Sequence, residues 1–325
     1  MRKLLVIFII LLFLVSASII WFVYFDSPGN SIQTQVFVIP QDQIDFDIAK
    51  ELEKEGLIKS ATGFNFLMDT FALGKFTSPG GYKLSQSMNA WQVMEKVTSK
   101  EDLSWITISF CPRKEQVGEK LAKALDWDPE TLEKWNTVYT NTKPEYFEGV
   151  YYPDTYLIPR EENGAQIANR FINRFNEKFS PFSSEANEKN IKWTTVLKIA
   201  SLIAREAGGK EDMKIISGII WNRLNKNMAL QIDATMQYTL GKQADGSWWG
   251  KISLEQKRSD SPYNSYRTKG LPPTPICSPN IDAIDAALNP EETDCLFYLH
   301  DKFEQIHCAK TYEEHKTNID KYLRI

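Results

Sequence analysis

The 325-residue chain has little of what marks nucleotide, metal or nucleic-acid chemistry. Its three histidines and four cysteines form no pair at metal-ligand spacing, and no glycine-rich loop of the kind that cradles phosphate occurs. Lys and Arg number 38 against 42 Asp and Glu, a formal net charge of −4, so no basic excess points to nucleic acid. With 42% hydrophobic and 25% charged residues the composition is that of an ordinary globular protein, with room for two or three domains.

One long hydrophobic run is present. Arg2 and Lys3 precede Leu4 to Phe25, in which Ser16 and Ser18 are the only small polar residues. About 22 residues at about 1.5 Å each give roughly 33 Å, enough for a hydrocarbon core of about 30 Å. A cleaved signal peptide has a shorter apolar core, of ~7 to 15 residues, and a small-x-small site that this run lacks before its aromatics. Trp21, Phe22, Tyr24 and Phe25 crowd the far end like an interfacial belt, and the flanking charges put the N-terminus inside. The expectation is a single-pass, uncleaved signal-anchor at residues 1–25, N-terminus cytoplasmic, with the rest beyond the plasma membrane.

Residues 26–35 read as a short polar linker. Residues 36–100 read as a small α+β module: a strand at Val36–Pro40, helices at 42–56, 64–71 and 89–99, and a turn into a strand at 80–84. It carries no candidate chemistry, and spacer or carbohydrate-binding module are equal readings. A connecting region, 101–145, holds a strand at 105–110 and a helix at 115–125. A larger domain, 146–325, opens with an aromatic loop at 147–157, expected on the surface, then a helix at 167–179 and an exposed connection at 180–190.

The chain is organised around Trp193 to Gly241. Val196, Ile199, Ala200, Leu202, Ile203 and Ala207 recur at helical spacing, and Gly208-Gly209 reads as a stop. At roughly 100° per residue, Glu206 lies about 20° from Ile199 and about 40° from Leu202. A carboxylate thus sits on the apolar face. Desolvation raises the pKa of such a group and suits it to act as a general acid. The alternative is a Glu near a helix end whose head reaches solvent, Lys210 or Arg223. A second apolar helix spans 213–224, where Gly218 would admit close approach of the Glu206 helix. Asp233 reads as the cap of a helix through Leu240. Loops rich in aromatic and amide groups, Tyr263-Asn-Ser-Tyr266 and Leu271 to Pro279, precede a helix at 281–288 and a hairpin around Asp301-Lys302.

The ordered series EGVYYPDTY, IAREA, WNRL, LQID, YNSY, LPPTPICSP and YLHD…AKTYEEHKTNIDKYL resembles the MltG (YceG-like) family of endolytic murein transglycosylases over nearly the whole chain. The resemblance implies an α+β architecture: a transmembrane helix, a small LysM-like α+β module, then a mixed α+β catalytic domain. It places the catalytic glutamate on Glu206, the residue the helical wheel singles out. Groove motifs fall on Asn222, Gln231, Asp233, Tyr263, Asn264 and Tyr266. It implies no cofactor and no metal, with peptidoglycan glycan strands, the plasma membrane and cell-wall synthesis proteins as partners. Two places depart from the family pattern: Ala204 stands where a second acid is frequent, and a phenylalanine usual after the last hairpin is replaced near Cys308.

The implied chemistry needs one carboxyl group. Glu206 would protonate the glycosidic oxygen between N-acetylmuramic acid and N-acetylglucosamine, then accept the proton of the C6 hydroxyl as a 1,6-anhydro ring closes. Two alternatives stand beside it: a hydrolase with Asp233 or Glu148 as second carboxylate, and a non-catalytic glycan-binding scaffold. For the cysteines, free thiols are the expectation. Cys295–Cys308, on either side of the hairpin turn, is the one candidate bridge, and Cys111 and Cys277 have no evident reason to meet.

Overall fold

The N-terminal apolar run folds as one continuous helix, α1 (Arg2–Tyr24), in the computed structural model, which describes residues 2–42 and 44–324. Its described side chains from Lys3 to Tyr24 are exposed, and it is long and apolar enough to cross a bilayer. The Ser16 and Ser18 hydroxyls donate to the Leu12 and Leu14 carbonyls at 2.9 and 2.8 Å, so neither is left bare on the apolar surface. The chain is mixed α+β and divides into two compact units, Met1–Ile106 with Thr155–Glu162, and Thr107–Asp154 with Asn163–Ile325.

In the first unit β1 (Thr34–Ile39), α2 (Ile48–Lys54), α3 (Ala61–Phe71), β2 (Gly80–Ser85), α4 (Ala90–Val97) and β3 (Leu103–Thr107) follow in order. The sheet is completed by β4 (Thr155–Pro159), in spatial order β1-β2-β3-β4, with β1 antiparallel to β2 from Thr34↔Ser85 to Ile39↔Gly80. Alternation along β1 buries Phe37 and Ile39 with Leu52, Phe64, Tyr82, Leu84 and Val93, while Val36 and Val38 face out. The helix expected from residue 42 begins at Ile48, because Asp47 takes the cap and accepts from the Lys50 N–H at 3.1 Å. Gln43, within that expected helix, lies outside the described residues. The stretch read as a linker lies along the turn between β2 and α4: Gly29 N–H donates to Gln86 O at 3.0 Å, and Ser87 N–H to Ser31 O at 3.1 Å.

The second unit is mainly helical: α5 (Lys114–Leu125), α6 (Pro129–Lys134) running into a π-helical turn, α7 (Gly164–Glu188), α8 (Trp193–Glu206), α9 (Met213–Asn225), α10 (Asp233–Leu240) and α11 (Ile281–Leu288). An antiparallel hairpin, β5 (Phe297–His300) and β6 (Ile306–Ala309), and α12 (Tyr312–Tyr322) close it. Around α8 pack α7, α9, α10 and α11.

Four sequence expectations change here. α7 continues to Glu188, through most of the stretch 180–190 that was read as a connection: its buried stripe of Ile167, Phe171, Phe175 and Phe179 goes on to Ala186 despite Pro181. The aromatic loop at 147–157 is largely interior. Val150 and Tyr151 are fully buried, the Tyr151 ring lies 5.5 Å from Trp135 and 6.3 Å from Phe171, and Gly149 (φ +88°) lets the backbone press on Pro275. Gly218 admits the 291–293 segment rather than α8, since a Cβ there would sit 2.3 Å from Glu291 O. Finally, both cysteine pairs are bonded, Cys111–Cys277 and Cys295–Cys308, with Cα separations of 5.1 and 5.8 Å. Ser278 N–H donates to Pro112 O at 2.9 Å, which sets Cys277 beside Cys111. The register pairs Cys308 with Tyr298, so Cys295 reaches it from beyond the strand end and not from directly across the ladder.

Candidate active site

α8 buries Val196, Leu197, Ile199, Ala200, Leu202 and Ile203, and Glu206 is its last residue. Glu206 is half-buried, and its side chain turns into the domain rather than onto open surface. Burial lifts its carboxyl above the ordinary carboxylate range. The hydrogen bond from Tyr298 favours the charged form and offsets part of that rise, as do Arg205 and His300, while the negative charge of Asp233 adds to it. A carboxyl held this way keeps its proton at higher pH than a surface glutamate.

The hairpin supplies the partner. The Tyr298 hydroxyl donates to Glu206 Oε2 at 2.5 Å, and burial first, then the Glu206 charge, push that phenol well above its ordinary value, so it stays a donor. Side chains two apart share a strand face. His300 therefore reaches the same α8–α9 corner and meets Asp212 Oδ2 at 2.9 Å, while Phe297 turns to α12 and stacks on His315.

Three consecutive donors of α9 reach α11 and the entry to the hairpin. Trp221 Nε1 donates to Ala287 O at 3.0 Å, Asn222 Nδ2 to Thr293 O at 2.6 Å and Cys295 O at 3.1 Å, and Arg223 Nε to Leu296 O at 2.6 Å. The Trp221 bond holds α11, and those of Asn222 and Arg223 tie down the strand entry just before Tyr298. Asn222 also lines a cavity of about 800 Å³ with Trp221, Asn225 and Pro290, and Glu206 is not in that lining.

A second cluster surrounds the start of α10. Asp233 is its first residue and makes no side-chain cap, contrary to the expected capping role. Its carboxylate instead accepts from the Tyr266 hydroxyl and pairs with Lys257 Nζ at 2.9 Å, and Lys257 also donates to Tyr266 Oη at 2.8 Å. Fully buried Asn264 donates to the Lys257 and Ser259 carbonyls at 3.1 and 2.7 Å and accepts from Tyr266 N–H, so it folds the loop that presents this trio. Buried Ser265 accepts from Ile232 N–H at 2.9 Å and fixes the loop to α10. Beside Glu206, the Arg205 guanidinium lies 4.1 Å from the Trp249 ring.

Residues 37–321 match the YceG-like family. The chain belongs to the YceG-like family. It is 28% identical over 298 residues to a Bacillus subtilis protein named endolytic murein transglycosylase, covering 85% of this chain and 81% of the relative. A Streptococcus pneumoniae protein of the same name is 28% identical over 278 residues; the match covers 85% of this chain and 48% of the relative, so the chain spans about half of that relative's length. A solved YceG-like protein from Listeria monocytogenes superposes with a TM-score of 0.58 at 26% identity, covering 88% of this chain and 99% of the other.

Of the residues singled out in the sequence of this YceG-like chain, Asp233, Tyr266 and Asn264 meet in one cluster whose charge acts on Glu206. Tyr263 is bonded to Thr274 at 2.8 Å, and its ring lies 5.1 Å from Tyr238. Gln231 is exposed with φ +54°, held by its N–H on Ser265 O. Sequence reasoning assigned no role to Tyr298, Lys257 or the His300–Asp212 pair, and Arg223, named there as a possible partner of Glu206, instead donates to the Leu296 and Leu230 carbonyls. The alternation in Tyr298-Leu299-His300 was the available signal: two polar rings on one face of a strand.

Proposed function

We propose that this chain is a membrane-anchored endolytic lytic transglycosylase that cleaves the N-acetylmuramic acid–N-acetylglucosamine bond of peptidoglycan. The observation that carries this is Glu206, a carboxyl raised by burial and oriented by Tyr298, beside a carboxylate already engaged by Lys257 and Tyr266. The names of the relatives agree with it.

In this mechanism protonated Glu206 gives its proton to the glycosidic oxygen, and the bond from that oxygen to C1 breaks. Positive charge develops at C1, and the C6 hydroxyl of the same sugar attacks it. The Glu206 carboxylate takes the C6 hydroxyl proton, which returns the enzyme to its starting state and leaves a 1,6-anhydro end. No water is consumed. Tyr298 holds the second carboxylate oxygen through both steps, so that one residue serves as acid and then base. Gln231, Asn264, Tyr263 and Tyr266 are assigned to the groove wall, Gln231 and the tyrosines as sugar contacts and Asn264 as the residue that shapes the loop. Hydrolysis through Asp233 is the weaker reading, because Lys257 and Tyr266 already occupy that carboxylate.

With α1 in the plasma membrane, the catalytic unit would act outside it on nascent strands, beside cell-wall synthesis proteins. The test is digestion of purified sacculi by the full chain in detergent. Soluble fragments should appear with the wild type and fall by about 10²- to 10⁴-fold with Glu206→Gln, the usual contribution of a general acid. Undiminished release by that variant would remove Glu206 from the mechanism.

A further inference from the structure

Four large apolar side chains of the first unit lack cover: Phe66 is 57% exposed, Phe71 52%, Leu73 79% and Phe76 83%. Phe66 and Phe71 belong to α3, and Leu73 and Phe76 to the stretch that follows it.

Phe66 and Phe71 connect to the end of α1. The Phe25 ring stands 5.7 Å from Trp21 and 6.3 Å from Phe66, and Phe71 packs edge-on against Trp91 at 5.1 Å. Ala90, next to Trp91, donates its N–H to Phe25 O at 2.9 Å. Gly63 of α3 lies so close that a Cβ would sit 2.9 Å from Tyr24 O. Lys59 donates to Phe22 O at 2.9 Å and pairs with Asp26 at 3.4 Å. The end of α1 is therefore held against the module through its carbonyls and Phe25, while its own side chains stay exposed.

A helix of roughly 33 Å only just covers a core of about 30 Å, which sets Trp21 to Phe25 at headgroup level. Side chains packed on Phe25 share that level. We propose that Phe66, Phe71, Leu73 and Phe76 form a foot that dips into the boundary between headgroups and acyl chains of the bilayer that holds α1. The module then lies on the lipid surface. Aromatic rings favour this layer, and exposed Asp69 and Lys75 on the same stretch keep their charges among the hydrated headgroups. The proposal rests on α1 being a membrane anchor.

The test uses the full chain in phosphatidylglycerol–phosphatidylcholine vesicles. Among the described residues both disulfides leave no free cysteine, so an introduced cysteine is a unique labelling site. Phe71→Cys, Phe76→Cys, Val15→Cys and, on exposed α2, Glu53→Cys each carry an environment-sensitive dye; retained melting temperature confirms folding. The labels at 71 and 76 should be quenched severalfold more than that at 53 by lipid bearing a shallow quencher, and should be shielded from aqueous iodide. Equal iodide access at 53, 71 and 76, with the label at 15 buried in lipid, overturns the foot and leaves the anchor standing. Shielding from iodide without lipid quenching means that protein, such as a second copy, covers the patch, and also overturns it. A label at 15 that lipid bearing a quencher at the centre of the acyl layer does not quench overturns the anchor itself and the foot with it.

Discussion

Tyr298 donates its hydroxyl to Glu206 Oε2 at 2.5 Å, joining the hairpin to the end of α8 across 92 positions of sequence. The bond favours the charged carboxylate and so restrains a pKa that burial raises. Tyr298→Phe removes it, and Glu206 should hold its proton to higher pH. The alkaline limb of the pH–rate profile should move to higher pH, with a lower rate at the optimum. An unmoved limb would mean the bond does not act on the titrating form.

Glu148 gives a second pH signature, in stability. It is 1% exposed, and burial, with the charge of Glu115, raises its carboxyl from an ordinary 4.5 to about 8. Neutral in the fold, it ionises above about 4.5 in the unfolded chain. The native state thus binds more protons between about 4.5 and 8, and stability falls as pH rises across that window. Glu148→Gln retains the shape, so its melting temperature should drop less from pH 5 to pH 8 than that of the wild type. Parallel melting curves for the two proteins would contradict this.

Asn222 and Gln231 should separate by what they change. Asn222→Ala leaves two carbonyls of the strand entry without their donor, and a loss of about 1–3 kcal/mol in stability should accompany reduced activity. The Gln231 side chain is exposed, so Gln231→Ala should leave melting unchanged and raise KM for glycan strands. Denaturant titration beside steady-state kinetics measures both.

Both disulfides should be present in protein from an oxidising compartment, as joined peptides in an unreduced digest. Cys295–Cys308 closes a short loop of 13 positions, and loops of that size are worth about 3 kcal/mol in the chain-entropy view. Replacing both cysteines by Ala should lower the melting temperature and, by loosening the approach to β5, also activity. An unchanged melting temperature would show that the hydrogen bonds of Asn222 and Arg223 suffice.

Much of this was legible in the sequence because local patterns carry it. The stripe through Ile199, Leu202 and Ile203 drew α8 and placed Glu206 on its apolar face, and the run from Leu4 to Phe25 drew α1. What escaped depends on partners distant in sequence. Nothing near Tyr298 in the chain announces Glu206, and nothing near Cys111 announces Cys277. Asp233 looked like a cap because its local context is that of a cap; Lys257 and Tyr266, brought in by a loop, claim its carboxylate. The aromatics at 147–157 looked like a surface loop because burial of Tyr151 against Trp135 and Phe171 is a tertiary event. β4 joins the sheet of the first unit from far along the chain, which no local periodicity reports.

The most direct test of the central claim is mass analysis of the sugar ends released from sacculi by the full chain in ¹⁸O-labelled water. Glu206 acting alone as acid and base on the C6 hydroxyl predicts anhydro-muramic ends, one water lighter than reducing ends and free of ¹⁸O, that disappear with Glu206→Gln. Reducing ends that carry ¹⁸O would contradict the account and assign water as the nucleophile.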